Sequence, residues 1–146
     1  MVAAMTSISR IVLLSLGLAA AATCAACAPP HRDVAAADVP KLTSLKELMD
    51  VQATIADPQF KKVGDEATYT DADYAAFEEV SNRILATSTK AKEFSKGNPD
   101  FDRLCDALHD RAEKLGAAAK AKNGKASSDG LVEMKKVCKE CHSKHR

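Results

Sequence analysis

The sequence is poor in aromatic residues: Phe and Tyr together make up 4% of its 146 residues, and Trp is absent. Since aromatic side chains supply much of the buried area in most cores, aliphatic side chains and a bound group must fill this one. Hydrophobic residues still make up 46% of the chain, which is enough for one domain with a core. Runs of β-branched residues are also few, and alanine, lysine, glutamate and leucine dominate, which favours helix.

The sequence also lacks an excess of charge. Its 21 Lys and Arg residues nearly balance its 20 Asp and Glu residues, and no basic stripe runs along any predicted helix. Proteins that bind nucleic acid through its phosphates need such a stripe. We therefore expect no nucleic-acid partner.

Only one long apolar run is present, and it lies near the start of the chain, after Arg10. It covers residues 11–22, which is short for a membrane-spanning helix, so residues 1–26 are predicted to be a signal peptide. Two alanines before Cys27 resemble a lipoprotein cleavage box, although Cys24 stands where such boxes usually carry Leu. We expect Cys27 to be lipidated, with simple cleavage to a soluble protein as the alternative.

Either form of cleavage places the domain on the periplasmic side of a bacterial membrane, and the lipoprotein form anchors it there. Of the 21 basic and 20 acidic residues, removal of residues 1–26 takes away only Arg10, which leaves 20 of each. Residues 27–41 are rich in Ala and Pro and are predicted to be a linker or tether. The folded domain is expected to cover residues 42–146.

The strongest motif lies at the other end of the chain, where residues 138–142 read Cys-Lys-Glu-Cys-His. This spacing is the attachment signature of a c-type haem. Each sulfur adds to one haem vinyl group, and the histidine gives a ring nitrogen to the iron. On a helix, Cys138, Cys141 and His142 share one face because they stand three and four residues apart. We predict one covalent haem c, with His142 as the proximal iron ligand.

Two alternative readings of this motif are a disulfide and half of a zinc site. A zinc site needs two further ligands, and the chain has no second Cys pair at this spacing after Cys27. A thioredoxin-like redox pair would need a βαβ context, which the helical pattern does not offer.

Four segments of the domain repeat apolar residues at intervals of three and four, as amphipathic helices do. Their predicted starts carry capping residues: Ser44, Thr70 with a capping box, Asn98 followed by Pro99, and Ser128 or Asp129. Asp57-Pro58 is predicted to end or bend the first helix, and the next two helices are predicted to end at Lys96 before Gly97 and at Asn123-Gly124. Four such helices joined by short links predict an all-α fold, an antiparallel four-helix bundle with the haem near the C-terminus.

The chain resembles the class II c-type cytochromes, the cytochrome c-prime group, over about residues 42–146. The resemblance rests on the late Cys-x-x-Cys-His motif with Arg146 four residues after His142. Residues 45–50, Leu-Lys-Glu-Leu-Met-Asp, resemble the first helix of the low-spin, Met-ligated members, and residues 69–77 resemble the start of their second helix. One departure is His145, since the family usually has an aromatic residue before the arginine.

The resemblance implies that Met49 is the distal iron ligand and that the protein carries single electrons. The alternative is a five-coordinate haem protein that binds NO or CO, in which Met49 only fills the core. An enzyme is not expected, because no convincing distal His/Arg pair is present. Redox proteins are the expected partners, and the oligomeric state, including a homodimer, is left open.

The remaining candidate residues can also be explained by ordinary structural roles. Arg146 either contacts a haem propionate or is simply the charged last residue. Met134 is assigned to the core, Cys105 to a buried inert thiol, His109 to the edge of the third helix, and His145 to solvent or a propionate. His31 is assigned to solvated linker, and Lys135, Lys136 and Lys139 to a partner-docking rim or, more simply, a solvated helix face.

Overall fold

The computed structural model describes residues 33–145. Four long helices account for most of this part of the chain: α1 Leu45–Phe60, α2 Asp71–Ala91, α3 Pro99–Lys120 and α4 Gly124–His145. Short 3-10 helices cover Ala36–Lys41, Glu66–Thr68 and Lys92–Phe94. The predictions for the signal peptide, Cys24, Cys27, His31 and Arg146 lie outside the described residues.

Two buried clusters show how the helices run. The first joins the end of α1 to the start of α2, the end of α3 and the start of α4, through Ala56, Phe77, Leu115 and Leu131 among others. The second joins the start of α1 to the end of α2 and the start of α3, and the end of α4 packs against it. In each cluster the end of one helix therefore meets the start of the next helix along the chain. This arrangement confirms the predicted antiparallel four-helix bundle.

Three of the predicted helix starts are formed by the expected caps. The Ser44 hydroxyl accepts from the Glu47 N–H at 3.3 Å, and Thr70 forms a full capping box with Asp73. Asn98 accepts from two backbone N–H groups at 3.0 and 3.2 Å, with Pro99 as the first residue of α3. These caps satisfy backbone donors that the helices themselves leave unpaired.

Of the two predicted effects of Asp57-Pro58, an end of the first helix is wrong, and a bend stays a prediction. Helix α1 continues through Pro58 to Phe60. Because Pro58 lies in the last turn, its missing N–H removes one backbone hydrogen bond near an end that frays in any case. Phe60 packs against the first cluster, which stabilises the extra turn.

The predicted boundaries between the third and fourth helices are also wrong. Helix α3 ends at Lys120, and α4 begins at Gly124, four residues before Ser128. Asn123 caps α4, since its side-chain oxygen accepts from the Ala126 N–H at 3.0 Å. Ser128 is instead buried inside α4, where its hydroxyl accepts from the Gly64 N–H at 3.2 Å. The tertiary contact with the α1–α2 connection therefore replaced the local cap.

Helices α2 and α3 cross closely at a small residue. The Ser81 hydroxyl on α2 donates to the Ala112 carbonyl on α3 at 2.7 Å. A Cβ atom at Gly116 would stand 2.5 Å from the same hydroxyl oxygen, so a larger residue would force the Ser81 side chain to move.

Helix α2 itself ends at Ala91, earlier than the predicted Lys96. The chain continues through the 3-10 helix Lys92–Phe94 and a turn to Gly97, whose φ is +79°.

The last part of the predicted tether packs onto the bundle. Residues 36–41 form a 3-10 helix, and Val39 within it is fully buried. Asp33 forms an ion pair with Arg83 of α2. The boundary at residue 42 stays a prediction, but residues 36–41 belong to the packed structure. None of the helices in residues 33–145 is both long and apolar enough to cross a membrane.

Candidate functional site

A cleft between the two buried clusters is lined by side chains from all four helices. Its walls are mostly apolar, and their members are Met49, Gln52, Ser88, Ala91, Phe101, Leu104, Cys105, Leu108, Val137, Cys138, Cys141 and His142. The cleft therefore brings together Met49 from α1 and the two cysteines and the histidine of the Cys-x-x-Cys-His motif from α4. These residues are about 90 positions apart in the sequence.

Helix α4 contributes two thiols and one imidazole to the cleft. Cys138 and Cys141 are half-buried free thiols, and His142 is exposed at the cleft's rim. Burial raises the pKa of Cys138 to about 11 and also raises the pKa of Cys141. Both side chains are therefore neutral thiols at neutral pH, one helical turn apart, on the face that the spacing predicted.

Helix α1 contributes one thioether and one amide. Met49 is half-buried, whereas Gln52, one turn further on, is buried. The Gln52 amide donates to the Thr87 hydroxyl oxygen at 2.9 Å, and that hydroxyl donates to the Arg83 carbonyl at 2.9 Å. Since the single Thr87 hydrogen points to the backbone, the amide must face it with its NH₂ group, which fixes the amide orientation.

Helix α3 supplies the apolar wall, in which Cys105 is the one thiol. Cys105 is 6% exposed, and burial raises its pKa to about 12. The predicted buried thiol is therefore seen at this position, and it stays neutral at physiological pH. It is a free cysteine on the same cleft as Cys138 and Cys141.

His145 lies against the start of helix α3, so of its two expected positions the solvent-facing one is wrong and the one near a propionate stays a prediction. Its ring makes an edge-to-face contact with Phe101, with centroids 5.4 Å apart, and the side chain is only 17% exposed. Its Nε2 atom stands 3.3 Å from an Asp100 carboxylate oxygen. The imidazole thus packs as an aromatic ring beside a residue that lines the cleft.

Ion pairs join the last turns of α4 to the first turn of α3. Arg103 bridges Asp100 at 2.7 Å and Glu140 at 2.9 Å, and Lys144 pairs with Glu140 at 3.1 Å. The hydrogen bonds from Arg103 lower the pKa of Asp100 and of Glu140, and Lys144 adds to both effects. Both carboxylates are therefore charged at neutral pH, and they hold the motif-bearing turn of α4 against α3.

The other candidates within the described residues do not line the cleft. Met134 is fully buried in the first cluster, as assigned. His109 lies at the edge of α3, 3.4 Å from the buried Ser88 hydroxyl. Lys135 stands over the Phe60 ring at 5.6 Å, and Lys136 pairs with Glu133 at 2.6 Å. These lysine contacts fit a solvated helix face.

Three contacts at the site were not predicted from the sequence. They join Gln52 to Thr87, His145 to Phe101, and His109 to Ser88. Each pair joins residues that lie far apart in the chain, and a single sequence carries no signal for such contacts. The helical stripe did place Gln52 on the buried face, and a buried amide needs a hydrogen-bond partner.

A four-helix bundle whose last helix presents two thiols and an imidazole to an apolar cleft has the arrangement of a c-type haem protein. A family model described as Cytochrome C' matches residues 40–146. Because this match covers most of the chain, the protein belongs to the Cytochrome C' family. Searches of curated proteins and of solved structures returned no significant match.

Members of this family bind covalently attached haem c and are generally non-enzymatic haem proteins. The protein is therefore a c-type cytochrome with one haem c. The residues present fit such a group, since thiols, imidazole and thioether are haem attachment or axial-ligand chemistry and the surrounding walls are apolar. Cys138, Cys141, His142 and Met49 are the residues that could hold it.

Proposed function

We propose that the protein is a single-electron carrier in which Cys138 and Cys141 form the thioether links, His142 is the proximal ligand and Met49 is the distal ligand. The observation that carries this proposal is that Met49 of α1 lines the same cleft as the three motif residues of α4. A bound haem c supplies one-electron redox chemistry at its iron. The chain supplies the attachment, the axial ligands and the surroundings.

The surroundings suit electron transfer. Apolar side chains from α3, Phe101, Leu104 and Leu108, exclude water from one wall of the cleft. A thioether ligand favours the ferrous state, and an apolar site also disfavours extra charge on the iron, so both factors raise the reduction potential. The exposed position of His142 leaves one edge of the site near the surface, where a redox partner can approach.

The test is the optical spectrum of the purified protein, oxidised, reduced, and reduced with CO. Met49→Leu keeps volume and apolarity, so packing should cost under about 1.5 kcal/mol. The wild type should be six-coordinate and low-spin and should bind CO poorly. The variant should be high-spin, should bind CO readily, and should have a lower reduction potential because the thioether is lost.

The opposite result would identify the second candidate function, which is binding of NO or CO at a five-coordinate haem. A wild type that is already high-spin and binds CO readily, with Met49→Leu changing neither property, makes Met49 a core residue. The apolar lining around Met49 is the observation that supports this alternative, because a neutral diatomic ligand suits such a site.

We also propose that the domain is exported and anchored through lipid on Cys27, at the periplasmic side of a membrane. The support is the predicted signal peptide and the cleavage-box-like alanines before Cys27. Cys27→Ser should move the protein from the membrane fraction to the soluble fraction, while Cys24→Ser should leave it in place. A wild type that is soluble with a free amino terminus would exclude the anchor.

A redox partner, a contact of Arg146 with a haem propionate and a homodimer are further proposals. The lysines around the motif, with Lys139 exposed between the two thiols, would meet an acidic redox protein. Arg146 would contact a propionate. A homodimer would show as a doubled mass in solution.

A further inference from the structure

A second cavity lies on the outer side of the cleft wall. It is lined by Ser88, Thr89, Lys92, Cys105, Asp106 and His109. Ser88 and Cys105 line both this outer cavity and the cleft, so they form the wall between the two. The outer cavity therefore places the half-buried imidazole of His109 one side chain away from the haem cleft.

Ser88 makes a directed polar contact across this wall. Its hydroxyl donates to the Leu85 carbonyl at 3.1 Å, and its oxygen lies 3.4 Å from His109 Nδ1. Because the only hydroxyl hydrogen is used on the backbone, the oxygen accepts from an Nδ1–H group. His109 Nε2 is then the basic nitrogen, and it faces the Glu113 carboxylate at 3.8 Å.

Ionisable groups face His109 from two elements. From α2 and the turn after it, Lys92 is the charged group, and it is paired with Asp106. From α3 itself, Glu113 faces the ring and Cys105 is a neutral thiol whose pKa is about 12. Histidine is the residue type in this cavity whose ordinary pKa lies nearest to neutral pH, so the imidazole is the proton site that the cavity offers.

We propose that His109 is a redox-linked proton site, so that this protein takes up a proton together with its electron. This inference rests on the proposed electron-carrier function. When one electron enters the haem cleft from the donor, the added negative charge stabilises a proton on His109 Nε2, and that proton comes from solvent. No other bond forms or breaks, and the glutamate beside Nε2 stabilises the resulting imidazolium.

The sign of the effect follows from linkage. The pKa of His109 should be higher in the reduced protein than in the oxidised one, and the reduction potential should fall as pH rises between those two values. Outside that interval, His109 adds no pH dependence to the reduction potential. We expect at least a twofold difference in proton affinity, which converts to about 18 mV at about 59 mV per tenfold change for one electron.

The experiment uses the haem-loaded protein labelled with ¹³C in its histidine rings. NMR titration of the oxidised and the reduced forms gives a pKa for His109 in each, and His109→Gln assigns the signal. Reduction potentials are measured over the same pH range for wild type and for His109→Gln. The wild type should show a higher His109 pKa when reduced, and the variant should lose the matching slope of potential against pH.

Two neighbouring hydroxyls give a matched pair of variants. Ser88 and Thr89 both donate to the Leu85 carbonyl, but only Ser88 lines the cleft as well as the outer cavity. Ser88→Ala should reduce the difference between the two His109 pKa values, and Thr89→Val should leave it unchanged. Equal effects of the two variants would overturn the role of Ser88.

Equal His109 pKa values in the two redox states, or a slope that survives His109→Gln, would overturn the proposal. A surviving slope would assign the proton to another group, such as a propionate or His145. These outcomes are separate from failure of the proposed function, which the optical spectrum of Met49→Leu reports. If the protein is low-spin and Met-ligated but its reduction potential does not depend on pH, the proton site is excluded and the electron-carrier function is not.

Discussion

The four helices pack differently at the two ends of the bundle. At the aromatic end, formed by the first cluster, Tyr69 and Tyr74 meet Phe77 edge-on with centroids 5.0 and 6.2 Å away. At the cleft end, where the second cluster lies, the same four helices leave a groove lined by three thiols, a thioether and an imidazole. One end is closed by aromatic side chains, whereas the other carries the residues that could hold the haem c.

This difference shows how a chain with few aromatic residues uses them. Both Tyr residues and one of the four Phe residues pack together at the end without the cofactor. At the cleft end, Phe101 and the His145 ring are the aromatic contact. A haem c held by the cleft residues would add a planar apolar surface there. The packing of the cleft end should therefore depend on attachment, and through it so should the stability of the whole bundle.

Removal of the attachment residues should give the largest effect. Cys138→Ser together with Cys141→Ser removes both thioether links, and little folded protein should remain because bound cofactor stabilises the native state. Circular dichroism melts would measure this loss. Acid–organic extraction should leave the colour on the wild-type protein and none on the double variant.

Cys105→Ala is the matched control, since it removes a cleft thiol that the motif does not use. It should keep the covalent colour and a cooperative melt. A double variant that melts like the wild type, or wild-type colour that moves into the organic phase, would contradict the dependence of the cleft end on attachment.

Loss of the central ring at the aromatic end should come next. Phe77 is fully buried, so Phe77→Ala should lower the free energy of unfolding by about 3–5 kcal/mol through lost burial and a cavity. Urea denaturation measures the change. The haem spectrum should stay as in wild type, because Phe77 does not line the cleft.

Tyr69→Phe provides the smaller comparison at the same end. It keeps the ring contact and removes only the hydroxyl, which donates to the Lys62 carbonyl at 2.8 Å. The cost should be about 0.5–1.5 kcal/mol. A spectrum that changes in Phe77→Ala would show that the two ends are not independent.

The smallest effect concerns acid stability at the aromatic end. Hydrogen bonds from Lys62 and Thr70 hold the pKa of Asp73 well below its ordinary value. A depressed folded pKa means that the stabilisation is complete above the unfolded pKa of about 3.9 and is lost as pH falls towards the folded value. Asp73→Asn should therefore flatten the acid side of a plot of urea midpoint against pH.

Asp50→Asn serves as the control for that measurement, because Asp50 makes an exposed pair with Lys46 of the same helix and lies outside the aromatic end. Exposed pairs of this kind contribute little to stability. If both variants change the acid limb equally, the capping box and the Lys62 contact have no special role.

The sequence predicted the four helices well where local chemistry sets them. Ser44, Thr70 and Asn98 are caps in the structure because their side chains satisfy backbone N–H groups only two or three residues away. The errors fall where distant residues intervene. Ser128 was predicted as a cap, but it accepts from Gly64 on another segment, and Pro58 stays helical while Phe60 packs on the core.

For the candidate site, the Cys-x-x-Cys-His spacing alone put three side chains on one face of a helix, because 3 and 4 residues are close to one helical turn. The sequence alone also fixed Met49 and Gln52 on the buried stripe of α1. Only the tertiary structure decided that this stripe and the motif line one cleft, that His145 packs on Phe101, and that Ser88 joins His109 to the cleft wall. Helical periodicity is a property of neighbours in the chain, whereas the meeting of α1, α2, α3 and α4 depends on how whole helices pack.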